Sequence, residues 1–172
     1  MSNSNETRDE LIVCDNLVKI YKTDEVEVMA LQGLELVIYR GEILSIIGKS
    51  GSGKSTLMNI IGGLEHQTAG SIVVDGINLS EMSERDMVKY RKKKIGFVWQ
   101  KSSRNLYFYL TALENIEVAM NFTKTSAAEK RQKALKLLEM VEMSHKKDSY
   151  PAQMSGGEQQ RVAIAVALAN DP

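Results

Sequence analysis

Gly48-Lys49-Ser50-Gly51-Ser52-Gly53-Lys54-Ser55 is the stretch on which the reading of this chain turns. It has the spacing G-x-x-x-x-G-K-[ST] and stands between an apolar run and a helical pattern. The run before it, Ile43-Leu44-Ser45-Ile46-Ile47, ends at a glycine, as a buried strand feeding a tight loop should. After it, Ser52 to Ile61 reads as helix until Gly62-Gly63 stops it. A loop curled on Gly48, Gly51 and Gly53 turns the backbone N–H groups of Lys49, Ser50 and Ser52 and their neighbours inward. The following helix adds the positive end of its dipole, and such a nest takes phosphate. Lys54 is then expected to reach the β- and γ-phosphates as a mobile cation, Ser55 to offer its hydroxyl to Mg²⁺, and Thr56 to bond nearer the α-phosphate. Kinases, GTPases and transport ATPases all use this loop, so it does not choose among them.

Outward from the loop, strand and helix signals alternate. Leu11 to Tyr21 and Leu34 to Tyr39 are rich in β-branched and aromatic residues and read as strands, with the charged stretch Lys22 to Glu27 between them. Ser71 to Asp75 with Gly76 reads as a short strand and turn, and Ser83 to Lys94 as a charged helix leading into a strand over Ile95 to Trp99. The class is α/β. Further on, Thr111-Ala112-Leu113-Glu114 and Ser126-Ala127-Ala128-Glu129 each fit a capping box and should open a helix. Ala134, Leu137, Leu138 and Val141 then recur at helical spacing, a single buried stripe.

Composition narrows the functional classes. The chain has 172 residues, one domain's worth at roughly 150 per domain. Its 22 Lys+Arg balance 22 Asp+Glu, which argues against a partner made of nucleic acid. The run Val162 to Ala169 is the longest apolar one and falls well short of the ~20 residues that cross a bilayer. Met1 to Glu10 is polar and acidic, without the basic-then-apolar order of a secretory signal, so a cytoplasmic location is expected. Cys14 is the single cysteine, and His66 and His145 stand too far apart in sequence to suggest a metal cluster. The basic run Lys89 to Lys94 reads as a solvated helix face, with anionic lipid headgroups as its alternative partner.

A second motif decides the class of phosphate loop. Met154-Ser155-Gly156-Gly157-Glu158-Gln159-Gln160-Arg161 opens the last helix, with Ser155 as N-cap and Glu158 as its capping-box partner. Paired glycines weaken a first turn by close to 1 kcal/mol each, a cost that makes sense where backbone must approach a ligand. In carrying both motifs, the chain resembles the nucleotide-binding domain of ABC transporters, whose signature is Leu-Ser-Gly-Gly-Gln followed by a helix. Here methionine replaces the leucine and glutamate the glutamine.

The resemblance implies an α/β fold, a P-loop NTPase of the ABC type. It would have a mixed sheet core with an antiparallel β part and a helical subdomain at about 101–160, and would lack the C-terminal strands. Residues 1–10 would be a flexible polar tail and 11–172 the ATP-binding domain. ATP and Mg²⁺ are the implied cofactors. Two copies would pack head to tail, so that Ser155, Gly156, Gly157 and Glu158 of one close over the γ-phosphate held by the other. Tyr21 stands where the family places an aromatic that stacks on adenine, and Gln100 matches the glutamine that reaches Mg²⁺ or its water. Lys101 to Leu110 resembles the segment touching an integral membrane transporter subunit, although Tyr107-Phe108-Tyr109 replaces the usual proline-containing stretch. Those aromatics could equally dock a partner or fold back onto the core. The phrases Val18-Lys19-Ile20-Tyr21, Leu57-Met58-Asn59-Ile60-Ile61-Gly62-Gly63-Leu64 and Leu113-Glu114-Asn115-Ile116 are most similar to the subfamily serving lipoprotein release, macrolide-type export and peptide efflux.

In the family, hydrolysis also uses an Asp-Glu pair on a strand after the signature helix and a histidine beyond it. Pro172 precedes that strand, while Asp15 and Asp75 end apolar runs without a following glutamate. No catalytic residue is therefore expected in this stretch, and its turnover should be severely reduced. The leading expectation is a peripheral ATPase subunit on the cytoplasmic face of the membrane. A non-catalytic nucleotide-binding module and a soluble ABC-type ATPase are the alternatives.

Overall fold

Residues 9–23, 25–101, 104–121, 123 and 125–172 are described by the computed structural model. Most of the tail expected at 1–10 lies outside the described residues. The chain divides into two units, Met1–Val88 and Lys89–Pro172.

In the first unit, strands β1 (Glu10–Lys22), β2 (Glu27–Tyr39), β3 (Ala69–Val74) and β4 (Ile77–Asn78) form a four-stranded sheet in the order β2-β1-β3-β4. Every neighbouring pair is antiparallel. Cys14 in β1 lies opposite Leu36 on one side and Ile72 on the other. Cys14 and Leu17 are both buried although three positions apart. A register shift between them, with Asn16 at φ 47°, inserts the extra residue that returns both side chains to one face. Helix α1 (Lys54–Ile61) buries Thr56, Leu57 and Ile60 and packs toward β2.

The expected strands needed correction in three places. β2 begins at Glu27 rather than Leu34, because Glu27 pairs with Lys22 in the ladder, their ion pair closing at 2.7 Å. Ile43 to Ile47 is no strand: Ile43 is 97% and Ile47 93% exposed. Ile95 to Trp99 likewise joins no ladder among the described residues. Apolar runs announce burial, but a strand also needs a neighbour to complete its hydrogen bonds.

The chain passes between the units within helix α2 (Glu84–Lys94), where Tyr90 is buried. The second unit is helical, built from α3 (Ala112–Ala119), α4 (Ala127–Met140) and α5 (Gly156–Ala167). Each opens on the capping box its sequence predicts, at Thr111/Glu114, Ser126/Glu129 and Ser155/Glu158. Leu113 and Ile116 of α3, Ala134, Leu137 and Leu138 of α4, and Val162 and Ala165 of α5 share one core with Leu106, Met143 and Met154. Val141 packs against its edge, completing the expected stripe. Among the described residues, no helix is long and apolar enough to cross a membrane.

Candidate functional site

The first unit carries the phosphate loop. Gly53 caps α1 at φ 84°, a left-handed backbone. A Cβ there would lie 2.4 Å from the Ala30 carbonyl oxygen and 3.0 Å from Leu31 Cδ2, so the loop is pressed against β2. The Lys54 ammonium donates to the carbonyls of Gly48 at 2.8 Å and Lys49 at 2.7 Å, with Ser52 Oγ at 3.4 Å. It therefore lies within the loop, held by neutral oxygens that a phosphate outcompetes through charge.

Helix α1 differs from the other capped helices in a way that bears on the ligand. Its N-terminus has no side-chain cap and no acidic residue in the first turn, whereas α3, α4 and α5 each have both. The orphan N–H groups of its first turn are thus open to an anion. Lys49, Ser50, Gly51 and Ser55 are exposed on this surface. The Ser55 hydroxyl is a hard oxygen suited to Mg²⁺, which takes few protein ligands and completes its shell with phosphate and water. The residues present fit a magnesium nucleotide.

Tyr21, at the end of β1, is joined to α1. The residue is 38% exposed, its hydroxyl donates to Glu65 Oε2, and Thr56 Oγ1 lies 3.3 Å from that hydroxyl. Burial, followed by the Glu65 contact, holds the Tyr21 phenol above its ordinary pKa. Glu65 also accepts from Asn59 Nδ2 at 2.7 Å. The Lys19 ammonium donates to the His66 carbonyl at 2.7 Å, lies 3.8 Å from Glu65 and stands 5.1 Å from the Tyr21 ring centre. Desolvation pushes the Glu65 carboxyl up, but hydrogen bonds from Tyr21 and Asn59 and the Lys19 charge bring it below its ordinary pKa. Glu65 was not singled out by sequence. It stands alone beyond the glycines that end α1, in no recognisable pattern.

The second unit carries the other expected residues. Gln100 is exposed. Trp99 just before it is clasped by Asn105, which accepts from the Trp99 N–H at 2.6 Å and donates to its carbonyl at 2.8 Å. Tyr107, Phe108 and Tyr109 are exposed, which settles against their folding into the core. Buried Asn115 underpins them, accepting from the Tyr107 N–H at 2.7 Å and donating to the carbonyls of Tyr107, Leu110 and Thr111. Neither asparagine was flagged by periodicity, since each acts through a single amide.

At the signature, Met154 is buried in the helical core and anchors the turn. Gln159 donates to the carbonyls of Pro151 at 2.9 Å and Met154 at 3.1 Å, fixing the approach to α5. The Glu158 carboxylate is engaged by the Ser155 N–H at 2.7 Å, and Lys146 stands 3.8 Å away. Gly156 and Gly157 face open space: an added Cβ on either meets nothing within 4 Å. Packing within the chain does not account for their missing side chains. The loop, Tyr21 and Thr56 are thus brought together in the first unit, and Gln100 and Ser155 to Glu158 belong to the second.

The chain matches the ABC transporter family model over residues 31–172. It is 48% identical over 154 residues to an uncharacterized ABC transporter ATP-binding protein of Thermotoga maritima, covering 90% of this chain and 65% of that protein. It is 41% identical over 162 residues to the lipoprotein-releasing system ATP-binding protein LolD of Buchnera aphidicola, covering 94% and 70%. Among solved structures it is similar to a dimeric post-hydrolysis state of the ATP-binding cassette MJ0796, bound to ADP and Pi, from Methanocaldococcus jannaschii. That likeness has a TM-score of 0.84 at 43% identity and covers 94% of this chain and 71% of the cassette. The chain thus spans roughly two thirds of the length of these relatives.

Proposed function

This chain belongs to the ABC transporter family, and from that premise we propose that it serves as the ATP-binding subunit of a transporter, powering export or lipoprotein release through ATP-driven pairing of two copies. The observation that carries the reading is the uncapped, acid-free N-terminus of α1 beside a loop whose lysine is held by neutral oxygens, the carbonyls of Gly48 and Lys49 and the Ser52 hydroxyl. Residues 11–172 act as the ATP-binding domain, with a helical subdomain at about 101–160.

Lys54 turns from the loop carbonyls to the β- and γ-phosphates, while the backbone of Gly48 to Gly53 wraps them. Ser55 and Gln100 would hold Mg²⁺, which when bound neutralises charge building on the phosphate oxygens. Tyr21 stacks on adenine. The second copy contributes Ser155, Gly156 and Gly157 over the γ-phosphate, and the open space above both glycines supports that head-to-tail arrangement. ATP hydrolysis is the activity proposed for the whole cassette. The exposed aromatics at Tyr107 to Tyr109 face an integral membrane subunit, with the protein peripheral on the cytoplasmic side.

Titration with Mg-ATP, read by equilibrium binding and by sedimentation, tests the reading. Lys54→Ala should weaken binding about 10- to 100-fold, the worth of a charge-assisted contact. Gly157→Arg should keep nucleotide binding but abolish ATP-dependent pairing. Undiminished affinity in Lys54→Ala would sink the nucleotide site, and undiminished pairing in Gly157→Arg the second-copy contact.

A further inference from the structure

We propose that Glu65 is a positioning residue that sets the Tyr21 ring at a fixed distance from the phosphate loop, so that base and triphosphate are gripped together. The proposal rests on the nucleotide reading given above. Tyr21 lies at the end of a strand and is partly exposed, a place where an aromatic side chain would otherwise swing freely. One carboxylate restrains it. Glu65 Oε2 accepts the phenol proton while Oε1 accepts from Asn59 Nδ2 at 2.7 Å.

Asn59 and Thr56 both belong to α1, the helix that begins with Lys54 and Ser55. Through Glu65, the stacking platform is therefore tied to the element that presents the phosphate donors. The Lys19 ammonium stands over the same ring, 5.1 Å from its centre, and Tyr21 keeps 38% of its surface exposed for a ligand to cover. Such a tether pre-orders the site for a ligand with a base and a polyphosphate at the right separation. It contributes nothing to a polyphosphate alone.

Equilibrium affinities for Mg-ATP and for inorganic tripolyphosphate, measured side by side on the full chain, test this. Glu65→Ala should weaken ATP about fivefold, a fraction of a full base–aromatic stack, with tripolyphosphate affinity unchanged. Glu65→Gln keeps an oxygen for the phenol and, with the Asn59 amide turned so that its oxygen accepts from the new NH₂, should recover most of the loss. Tyr21→Phe keeps the ring without its hydroxyl and should match Glu65→Ala, and combining the two should cost no more than either alone. Tripolyphosphate affinity shows in each case that the loop is intact, and Tyr21→Phe carries the test if Glu65→Ala does not fold. Parallel losses for both ligands, unchanged ATP affinity, or additive effects of the two substitutions would overturn the tether. A parent chain that binds neither ligand would instead overturn the nucleotide reading, and the tether with it.

Discussion

The side-chain amide of Asn105 pairs with both backbone groups of Trp99, taking its N–H at 2.6 Å and giving to its carbonyl at 2.8 Å. It does for this residue what a neighbouring strand would do, in a segment that joins no ladder among the described residues. Gln100 leaves directly from that clasp. Removing the amide should free the turn, and because Trp99 is the single tryptophan, intrinsic fluorescence reports the change without a label. Asn105→Ala is expected to shift Trp99 emission to the red and speed its backbone amide exchange by about tenfold, the equivalent of one lost hydrogen-bonding partner. Asn105→Asp, which keeps the acceptor, should fall between. Emission and exchange equal to the parent in Asn105→Ala would show that the clasp restrains nothing.

The two glycines of the loop with positive φ should respond differently to alanine. Gly51, at φ 79°, has open space around its missing side chain and should lose only the left-handed penalty, about 1 kcal/mol. Gly53 adds a collision with the Ala30 carbonyl at 2.4 Å and should lose about 3 kcal/mol or more. Urea unfolding of the two variants measures the difference. Equal midpoints would mean that the loop does not press on β2.

Asn115 is 1% exposed and makes hydrogen bonds at both ends of its amide, to Tyr107, Leu110 and Thr111. Asn115→Ala leaves several backbone groups without partners and should cost about 3 kcal/mol. Limited proteolysis should then cut near the exposed aromatics Tyr107 to Tyr109. An uncut loop with full stability would contradict this role.

Acid should loosen the helical unit by a defined route. Glu114 is held below its ordinary pKa of 4.5 chiefly by the Thr111 backbone N–H, Glu129 by the Ser126 hydroxyl, and Glu158 by the Ser155 backbone N–H. Since the unfolded chain binds these protons more readily, stability rises with pH in this range. The contribution is complete above 4.5 and disappears as pH falls through the lowered folded values. Thermal midpoints between neutral pH and pH 3 should drop less steeply when all three glutamates are replaced by glutamine. A parallel pH dependence in that variant would count against the capping carboxylates.

The sequence was most legible where a signal is local. Capping boxes are written in four consecutive residues, so Thr111, Ser126 and Ser155 announce their helices unaided. The phosphate loop is equally compact. Illegible were features that depend on a partner distant in the chain: Glu65 reaching Tyr21, and β2 running back to Glu27 because β1 was there to pair with it. The apolar character of Ile43 to Ile47 was plain, but burial is a property of what covers a residue, and pattern alone did not supply the cover.

Cys14 makes the sheet of the first unit report on itself. It is the chain's one thiol, 1% exposed between strands on both sides, and burial, with the nearby Glu35 charge, pushes its pKa from 9.0 to about 11. A maleimide at neutral pH consequently finds almost no thiolate until β1 parts from its neighbours. The rate of alkylation is then a clock for sheet opening, and slowing of that clock by a ligand gives its binding free energy without any engineered label.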